Sequence, residues 1–494
     1  MKLYNTLSHD IQEFAPADGK TVKMYVCGVT PYSSTHVGHA LSYVAFDTLR
    51  RYLEFLGFDV RHVQNFTDVD DKIINRAKEQ GIEPDELAEE FIDDFYRTMD
   101  ALNIQRAHVY PRATQEIGPI IDTIQTLVDN GSAYPAGGDV FFRVTKKDDY
   151  GKLSHRTLDG MQAGARIEID ENKEHPMDFV LWKGARPGEP SWESPWGPGR
   201  PGWHIECTAM SMTYLGATLD IHGGGQDLIF PHHENEIAQS EAATGEAPFS
   251  KYWVHNGLLQ LGEDKMSKSL GNLVSVEDAL ENYTPDAIRL YFLSSHYRSP
   301  LSYSDEGCDA MERSADRLRH VLRPETESAG EPMDAAAFEE QFMAGMDDDL
   351  NTPKALAALF DLSREMNRQR DEGHSISAAQ DCLRHLGSIL GLTFNERASS
   401  LKIDAKSYNA MAQELRAKIS ETGQAELSEL FADSNSDVEA VSAKDIDRLV
   451  DIRTTCRTYK QFGLADEIRG WLESQGVTVE DSAAGSIWEY RPTS

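Results

Sequence analysis

The sequence predicts an α/β fold: a doubly wound parallel sheet carrying an insertion, followed by an all-helical region and a small terminal unit. Three observations predict it. Residues 23–27 form a short apolar run that stops at Gly28; after a Pro/Ser/Thr-rich turn, Leu41, Val44, Ala45, Leu49, Tyr52, Leu53 and Leu56 recur with helical period. Gly57 closes that helix and residues 60–66 read as the next strand, completing a β-α-β unit. Finally, a chain of 494 residues divides into three or four domains at about 100–200 residues each.

The remaining elements follow in order. Helical periodicity returns over 82–99 and 115–130. From 133 to 201 the character changes to short strand-like pieces, 140–144 and 167–169. The end of this region, 183–203, is dense in Pro, Gly and Trp and reads as irregular loop. This is an insertion, so the sheet domain is split into 1–116 and 202–258 around 117–201, and 259–322 continues it. Residues 323–333 are rich in Pro, Glu, Ser and Gly and read as a linker into helices over 334–392. A boundary near 393–402 separates the helical region, 334–400, from a tail, 401–494. The tail reads as helices at 407–422 and 443–463 with β-like segments at 477–480 and 488–490. A doubly wound sheet binds its ligands beyond the C-terminal ends of the strands, so phosphate chemistry is expected in the first loop.

Composition bounds the function. With 40% hydrophobic and 26% charged residues, no run approaches the roughly 18 unbroken apolar residues of a membrane span. Residues 1–5 show no charged segment leading into an apolar core, so a cytoplasmic location is expected. The five cysteines, Cys27, Cys207, Cys308, Cys382 and Cys456, are odd in number and scattered, which suits free thiols or metal ligands over disulfides. Packing is the expected role of the last three. The net charge of -34, from 48 basic and 82 acidic side chains, by itself argues against nucleic acid, because phosphate backbones call for a basic footprint. At molar salt the Debye length falls to about 3 Å, so a salt-adapted protein would reconcile this acidity with RNA.

Two motifs carry phosphate chemistry. Thr35-His36-Val37-Gly38-His39 falls in the turn between the first strand and the first helix. Two imidazoles at a helix N-terminus can donate to phosphate oxygens, the helix dipole adds partial positive charge, and Gly38 leaves room for a purine against the backbone. Alone, this pattern is matched by any two histidines of a surface loop. Far downstream, Asp264-Lys265-Met266-Ser267-Lys268-Ser269 brackets small hydroxyls with two lysines. Such a cationic clamp neutralises the charge that builds on a leaving pyrophosphate, and so acts in the transition state. A solvated basic loop is the plain alternative.

Together these signatures resemble class I aminoacyl-tRNA synthetases, in which the histidine motif and the KMSKS loop embrace ATP from opposite halves of a Rossmann fold. The resemblance narrows to cysteinyl-tRNA synthetases through Met24-Tyr25-Val26-Cys27-Gly28, Asn65-Phe66-Thr67-Asp68-Val69-Asp70-Asp71-Lys72, Gly202-Trp203-His204-Ile205-Glu206-Cys207 and Phe230-Pro231-His232-His233-Glu234-Asn235-Glu236. It runs from residue 2 to the C-terminus. It implies a Rossmann-type catalytic domain with a connective insertion, a stem-contact region over 259–322, a helical domain and a small anticodon-binding tail. The implied activity is Mg2+- and ATP-dependent conversion of L-cysteine to cysteinyl-adenylate and transfer to tRNA(Cys), by a monomer. Catalytic roles fall on His36, His39, Lys265 and Lys268. Thr30, Gly38, Gly224 and Asp227 join His36, His39 and Lys268 around ATP, and Gly28, Thr67 and Trp203 join Cys27 and His232 around cysteine.

The family's single zinc ion also makes chemical sense here. Two thiolates, an imidazole and a carboxylate form a tetrahedral set for Zn2+, and Cys27, Cys207, His232 and Glu236 supply one. Cys27 ends the first strand, and His232 and Glu236 stand four residues apart, so one helical turn can point both the same way. His204, His222 and His233 are competing ligands, and a buried apolar filler is the plain alternative for each cysteine. A thiol loses its proton on zinc whereas a serine hydroxyl matches it poorly, so cysteine can be selected without editing. In the 220–227 segment, the Gly223-Gly224-Gly225 triplet permits close backbone approach.

One departure opens a rival reading. The synthetases usually follow the first zinc cysteine with Gly-Pro-Thr-Val-Tyr-Asp and end the histidine motif in Ala-Arg. This chain has Gly28-Val29-Thr30-Pro31-Tyr32-Ser33 and Ala40-Leu41. That turn resembles the cysteine ligases of mycothiol synthesis, which join cysteine to an amino sugar without tRNA. The tail argues against them, since Ala465-Asp466-Glu467-Ile468-Arg469 and Gly476-Val477-Thr478-Val479-Glu480-Asp481 resemble the anticodon-binding end of the synthetases. A non-enzymatic RNA-binding or nucleotide-sensing role is the third reading.

Overall fold

Val22, Met24, Tyr25 and Val26 are all fully buried, the pattern of a strand covered on both faces. This strand, β1 (Thr21–Val29), pairs in parallel with β2 (Asp59–Phe66) and with β3 (Leu219–Gly225), and β3 pairs in parallel with β4 (Ser250–Asn256). The spatial order is β4-β3-β1-β2. The chain leaves β1 toward β2 on one side and later returns to β3 on the other, so the winding reverses between β1 and β3. Their C-terminal ends therefore open the crevice in which such sheets bind ligands. The computed structural model describes residues 1–158, 160–161, 171–261, 264–265, 274–324, 330–395, 403–422, 438, 441, 443–482 and 485–490.

The first helix, α1 (Val37–Phe55), buries Val37, Ala40, Leu41, Val44, Leu49 and Leu53, and Gly57 follows its last turn with φ of +90°. The helix starts four residues before the first apolar position the periodicity marks, because His36 supplies the cap.

Residues 117–201 hold a helix (Ile117–Asp129) and an antiparallel sheet of four consecutive strands, Ala133–Ala136, Asp139–Phe142, Phe179–Gly184 and Gly199–Pro201. Val140, Phe142, Leu181 and Trp182 form its core. The region 183–203 is thus not loop throughout, contrary to expectation. Its last strand lies at the sheet edge, where Pro201 need not donate to a neighbour. The strand expected at 167–169 falls outside the described residues.

Beyond this sheet come α2 (Trp203–Leu215) and α3 (Glu234–Thr244), which carry site residues. The helices Ala336–Asp347, Thr352–Asp371 and Ser377–Ile389 share one apolar core with α1, through Phe342, Leu359 and Leu383 alongside Leu49 and Tyr52. A fully buried ion pair ties the same region: Arg289 Nη2 lies 2.6 Å from Asp47 Oδ2 of α1, and its Nε donates to the Leu390 carbonyl at 2.9 Å.

The chain forms two compact units, Met1–Phe394 and Asn395–Ser494. In the second, the helices Ala405–Thr422, Ala443–Thr458 and Phe462–Ser474 and the hairpin Val477–Ser482/Gly485–Tyr490 enclose Leu415, Ile446, Leu449, Ile468, Leu472 and Val477. The helix expected over 443–463 ends at Thr458. Lys460 adopts φ of +59° and Gln461 N–H donates back to the Cys456 carbonyl at 2.8 Å, a C-terminal wrap that usually announces itself by glycine. Cys308 and Cys456 sit buried in the two apolar cores and Cys382 packs half-buried against the first.

Candidate functional site

The C-terminal end of β1 delivers Cys27 into the crevice, and α2, lying over it, brings Cys207 to an Sγ–Sγ distance of 3.9 Å. An irregular turn, Ile229–His233, with Phe230 extended at φ -141°, leads His232 into α3, where Glu236 follows one turn later. His232 Nε2 lies 3.1 Å from Glu236 Oε1, which in turn lies 3.6 Å from Cys27 Sγ. One donor atom each of Cys27, Cys207, His232 and Glu236 falls within 4.8 Å of all the others, and all four residues are buried. Bonds of 2.0–2.3 Å to a tetrahedral zinc would place its ligands about 3.3–3.8 Å apart. The separations of 3.9 Å between the thiols, 3.6 Å from Cys27 to Glu236 and 3.1 Å from Glu236 to His232 fit an ion of that size.

A second group, Cys27, His222, His233 and Glu236, meets the same distance limit. Its two histidines are engaged around the first group. His222 Nε2 lies 2.8 Å from Glu236 Oε2; His233 Nε2 lies 3.2 Å from Cys27 Sγ, while its Nδ1 lies 2.8 Å from His255 Nε2, whose other nitrogen reaches Thr6 Oγ1 at 2.8 Å. His204 Nδ1 lies 2.9 Å from His232 Nδ1 and leaves Nε2 of His232 facing Glu236. Partners of this kind orient ligating imidazoles and carboxylates.

The electrostatics favour a cation among these four groups. Burial opposes charge on Glu236, but His222 and His232 outweigh it and bring its carboxyl down to about 2. Burial likewise opposes a charged His232, but Glu236 and Cys207 raise it to about 10. The hydrogen bond with Cys27 brings Cys207 down to about 6 against the effect of burial, while burial and then Cys207 push Cys27 well up. A proton on His232 thus stands where a metal ion would supply the positive charge.

The predicted cysteine contacts gather around this cluster. Gly28 must be glycine, since a Cβ there would stand 1.6 Å from the Asn65 carbonyl oxygen. Thr67, buried just past β2, accepts from Asn65 Nδ2 at 3.3 Å. Trp203 opens α2 with 40% of its surface exposed, and its ring stacks on His232 at a centroid distance of 4.2 Å.

The histidine motif lies at the neighbouring helix start. His36 caps α1, its Nδ1 accepting the His39 N–H at 3.3 Å. Because Nδ1 accepts, the ring proton sits on Nε2, where it can be donated outward. Burial lowers His36 to about 4, and it lowers His39 well below the ordinary range with His36 and Lys72 adding to the effect. Both rings are therefore neutral donors near pH 7. They stack at a centroid distance of 3.7 Å, and a Cβ on Gly38 would stand 3.0 Å from His36 Nδ1.

The backbone joins this turn to the end of the lysine loop, since Val37 N–H donates to Val274 O and Val276 N–H to Thr35 O, each at 3.0 Å. Lys265 is described through its backbone, opposite Gln260 in the pairing of Asp264–Lys265 with Leu259–Leu261. Lys268 lies outside the described residues. Thr30 follows β1 and Gly224 lies near the end of β3, where a Cβ would meet Leu228 at 2.8 Å and His233 at 2.9 Å. Asp227 is exposed in the turn after β3. Sequence reasoning gave no role to Asn65 or His255, although a polar residue at the buried end of a parallel strand is itself a signal.

Fold and site define a class I aminoacyl-tRNA synthetase: residues 13–313 match the family of tRNA synthetases class I (C) catalytic domain, and 341–395 match the DALR domain. At the level of fold the chain is similar to Mycobacterium tuberculosis methionyl-tRNA synthetase in complex with methionyl-adenylate, with a TM-score of 0.57 and 19% identity over 75% of this chain and 89% of that one. In sequence it is 51% identical over 493 residues to a cysteine-tRNA ligase of Dehalococcoides mccartyi, covering 99% of this chain and 100% of that one. It is 45% identical over 511 residues to a cysteine-tRNA ligase of Geobacter metallireducens, with 99% and 100% covered. The chain belongs to the cysteine-tRNA ligase family.

Two expectations change with this result. Salt adaptation is not borne out, and the argument from net charge against nucleic acid fails. A sum over the whole chain says nothing of where charge lies, and many of the acids stand in local ion pairs such as Glu365–Arg368 and Asp100–Arg106. The amino-sugar ligase reading is not favoured, because the likeness extends through the helical region to the end of the chain. Among the described residues no helix is long and apolar enough to cross a membrane.

Proposed function

We propose that the chain activates L-cysteine with ATP to cysteinyl-adenylate, releasing pyrophosphate, and transfers the cysteinyl group to tRNA(Cys), releasing AMP. The observation that carries this reading is the buried Cys27–Cys207–His232–Glu236 cluster at the winding reversal, beside the neutral His36–His39 pair. Those four residues would hold one Zn2+ per chain; bound there, the ion would take the substrate thiol as thiolate and so favour cysteine over serine. Trp203 closes over the amino acid, and Gly28 and Thr67 contact its backbone. The carboxylate then attacks the α-phosphorus of Mg2+-ATP. Nε2 of His36 and the ring of His39 donate to phosphate oxygens, Thr30, Gly38, Gly224 and Asp227 line the nucleotide, and Lys265 and Lys268 neutralise the departing pyrophosphate. No covalent enzyme intermediate is needed.

The domains take matching roles: 1–116 and 202–258 catalysis, 117–201 the connective insertion, 259–322 the lysine loop and stem contact, 334–400 support, and 401–494 the anticodon. In the tail, Tyr459 and Phe462 are 37% and 57% exposed beside Arg457 and Lys460, a surface suited to stacking unpaired bases. A monomer is the state that the family resemblance implies, and the free cysteines fit a cytoplasmic setting. The test is transfer of labelled cysteine to total tRNA by purified protein with ATP, Mg2+ and zinc. Cysteine-specific charging is expected; cysteine-dependent pyrophosphate exchange without charging would return the amino-sugar ligase reading.

A further inference from the structure

Asn65 is the penultimate residue of β2, and its side chain is buried, only 1% exposed, between three parts of the site. Its Oδ1 accepts the Gly28 N–H at 2.9 Å. A backbone N–H can only donate, so this contact settles which end of the amide is oxygen. The opposite end, Nδ2, must then donate, and it faces Thr67 Oγ1 at 3.3 Å. Cys207 Sγ approaches the same Oδ1 at 3.7 Å. One amide thus joins Gly28 at the end of β1, Thr67 beyond β2 and a thiol of α2, three elements that the chain brings together only through its fold.

The polarity has a consequence for Thr67. With a lone pair of Oγ1 occupied by Asn65, the hydroxyl proton is directed away from Asn65, toward the buried Glu206 carboxyl with which Thr67 also hydrogen-bonds, and the two partners together hold the hydroxyl in one orientation. Gly28 is held from both sides, because the Asn65 carbonyl oxygen also occupies the space of a Cβ there. A residue that fixes two substrate contacts acts on binding geometry, where displacements near 1 Å are costly.

We propose that Asn65 is a positioning and specificity residue for the amino acid: it fixes the Gly28 backbone and orients the Thr67 hydroxyl so that cysteine bound by its sulfur presents its carboxylate to ATP. This rests on the reading of the site as a cysteine-activating one, and cysteine-dependent ATP–pyrophosphate exchange by the unaltered protein tests that reading separately. Asn65→Asp keeps the acceptor facing Gly28 and replaces the donor facing Thr67; Asn65→Ala removes both. In the exchange assay Asn65→Asp is expected to raise KM for cysteine about tenfold, the loss of one buried hydrogen bond, and Asn65→Ala, which loses two, by more. KM for ATP and bound zinc per chain are expected to stay unchanged.

Because Asn65 acts through Thr67, the effect of Asn65→Asp is expected to vanish in a Thr67→Val background, in which the hydroxyl is already gone. Melting temperatures identify any variant that fails to fold, and Asn65→Asp, nearly isosteric, then carries the test alone. Loss of zinc, parallel loss of affinity for ATP and cysteine, an unchanged KM for cysteine, or an effect of Asn65→Asp undiminished by Thr67→Val would each overturn the proposal.

Discussion

The two compact units use polarity in opposite ways. In residues 1–394 ionisable groups are buried in quantity: Cys27, Cys207, His222, His232, His233, Glu236 and His255 are all inside, as are Asp47 and Arg289. Among the described residues of 395–494 the core is mainly aliphatic, around Leu415, Ile446, Leu449, Ile452 and Leu472, and the buried Arg453 guanidinium reaches out to Asp481, which keeps 37% side-chain exposure. The division extends to one residue type: all sixteen histidines of the chain precede residue 395. Burying polar groups costs stability unless they are matched, so a region that does it repeatedly holds them for chemistry or for a fixed junction. The tail, whose buried Arg453 is answered by a carboxylate at the surface, offers its chemistry on the outside.

The largest effect is expected where buried polarity is chemical. His232→Ala removes one candidate ligand and the ring on which Trp203 stacks. Cysteine-dependent pyrophosphate exchange should fall on the order of 100-fold or more, with zinc lost from the protein by metal analysis. Activity retained with full zinc would assign the ion to the other histidines.

A smaller effect tests buried polarity that is structural. Asp47→Ala leaves the Arg289 guanidinium buried without its carboxylate. It should cost about 3–5 kcal/mol of stability. Hydrogen exchange should place that loss within 1–394 and leave 395–494 as protected as before.

The smallest effect sharpens the comparison through pH. Burial lowers His36 to about 4, and burial followed by Arg50 and His108 lowers His62 to about 3, both from 6.5. The unfolded chain therefore binds more protons than the folded one below about pH 6.5, so the contribution of these groups is complete above that pH and is lost as pH falls toward 4. The tail has no histidine. Hydrogen bonds from Arg453 and then Ser486 hold the Asp481 carboxyl below the usual carboxylate range, and that support fades only as pH falls below about 4. Protection measured from pH 7 to 4.5 should decline in the first unit and hold in the second. Equal decline in both would remove the distinction.

Much of this was legible in the residues. The period of Leu41, Val44, Leu49 and Leu53 gave α1 to within a turn, and the interval between His232 and Glu236 placed both side chains together across one helical turn, as they stand at 3.1 Å. Lys460 gave no sign of a helix end, because a left-handed wrap without glycine leaves no mark in composition. The acidic total misled, because it carries no positions.

What the sequence determined by itself is therefore short-range: periodicity, caps, turn residues and motifs whose members lie within a few residues of one another. Only the tertiary structure decided that Cys27 and Cys207, 180 residues apart, meet at 3.9 Å, and that Asn65 spans Gly28 and Thr67. The reason is geometric. Local pattern follows from the rise and twist of a helix or strand, whereas contacts across parallel strands depend on the order in which crossovers return the chain to the sheet, and no interval in the sequence records that order.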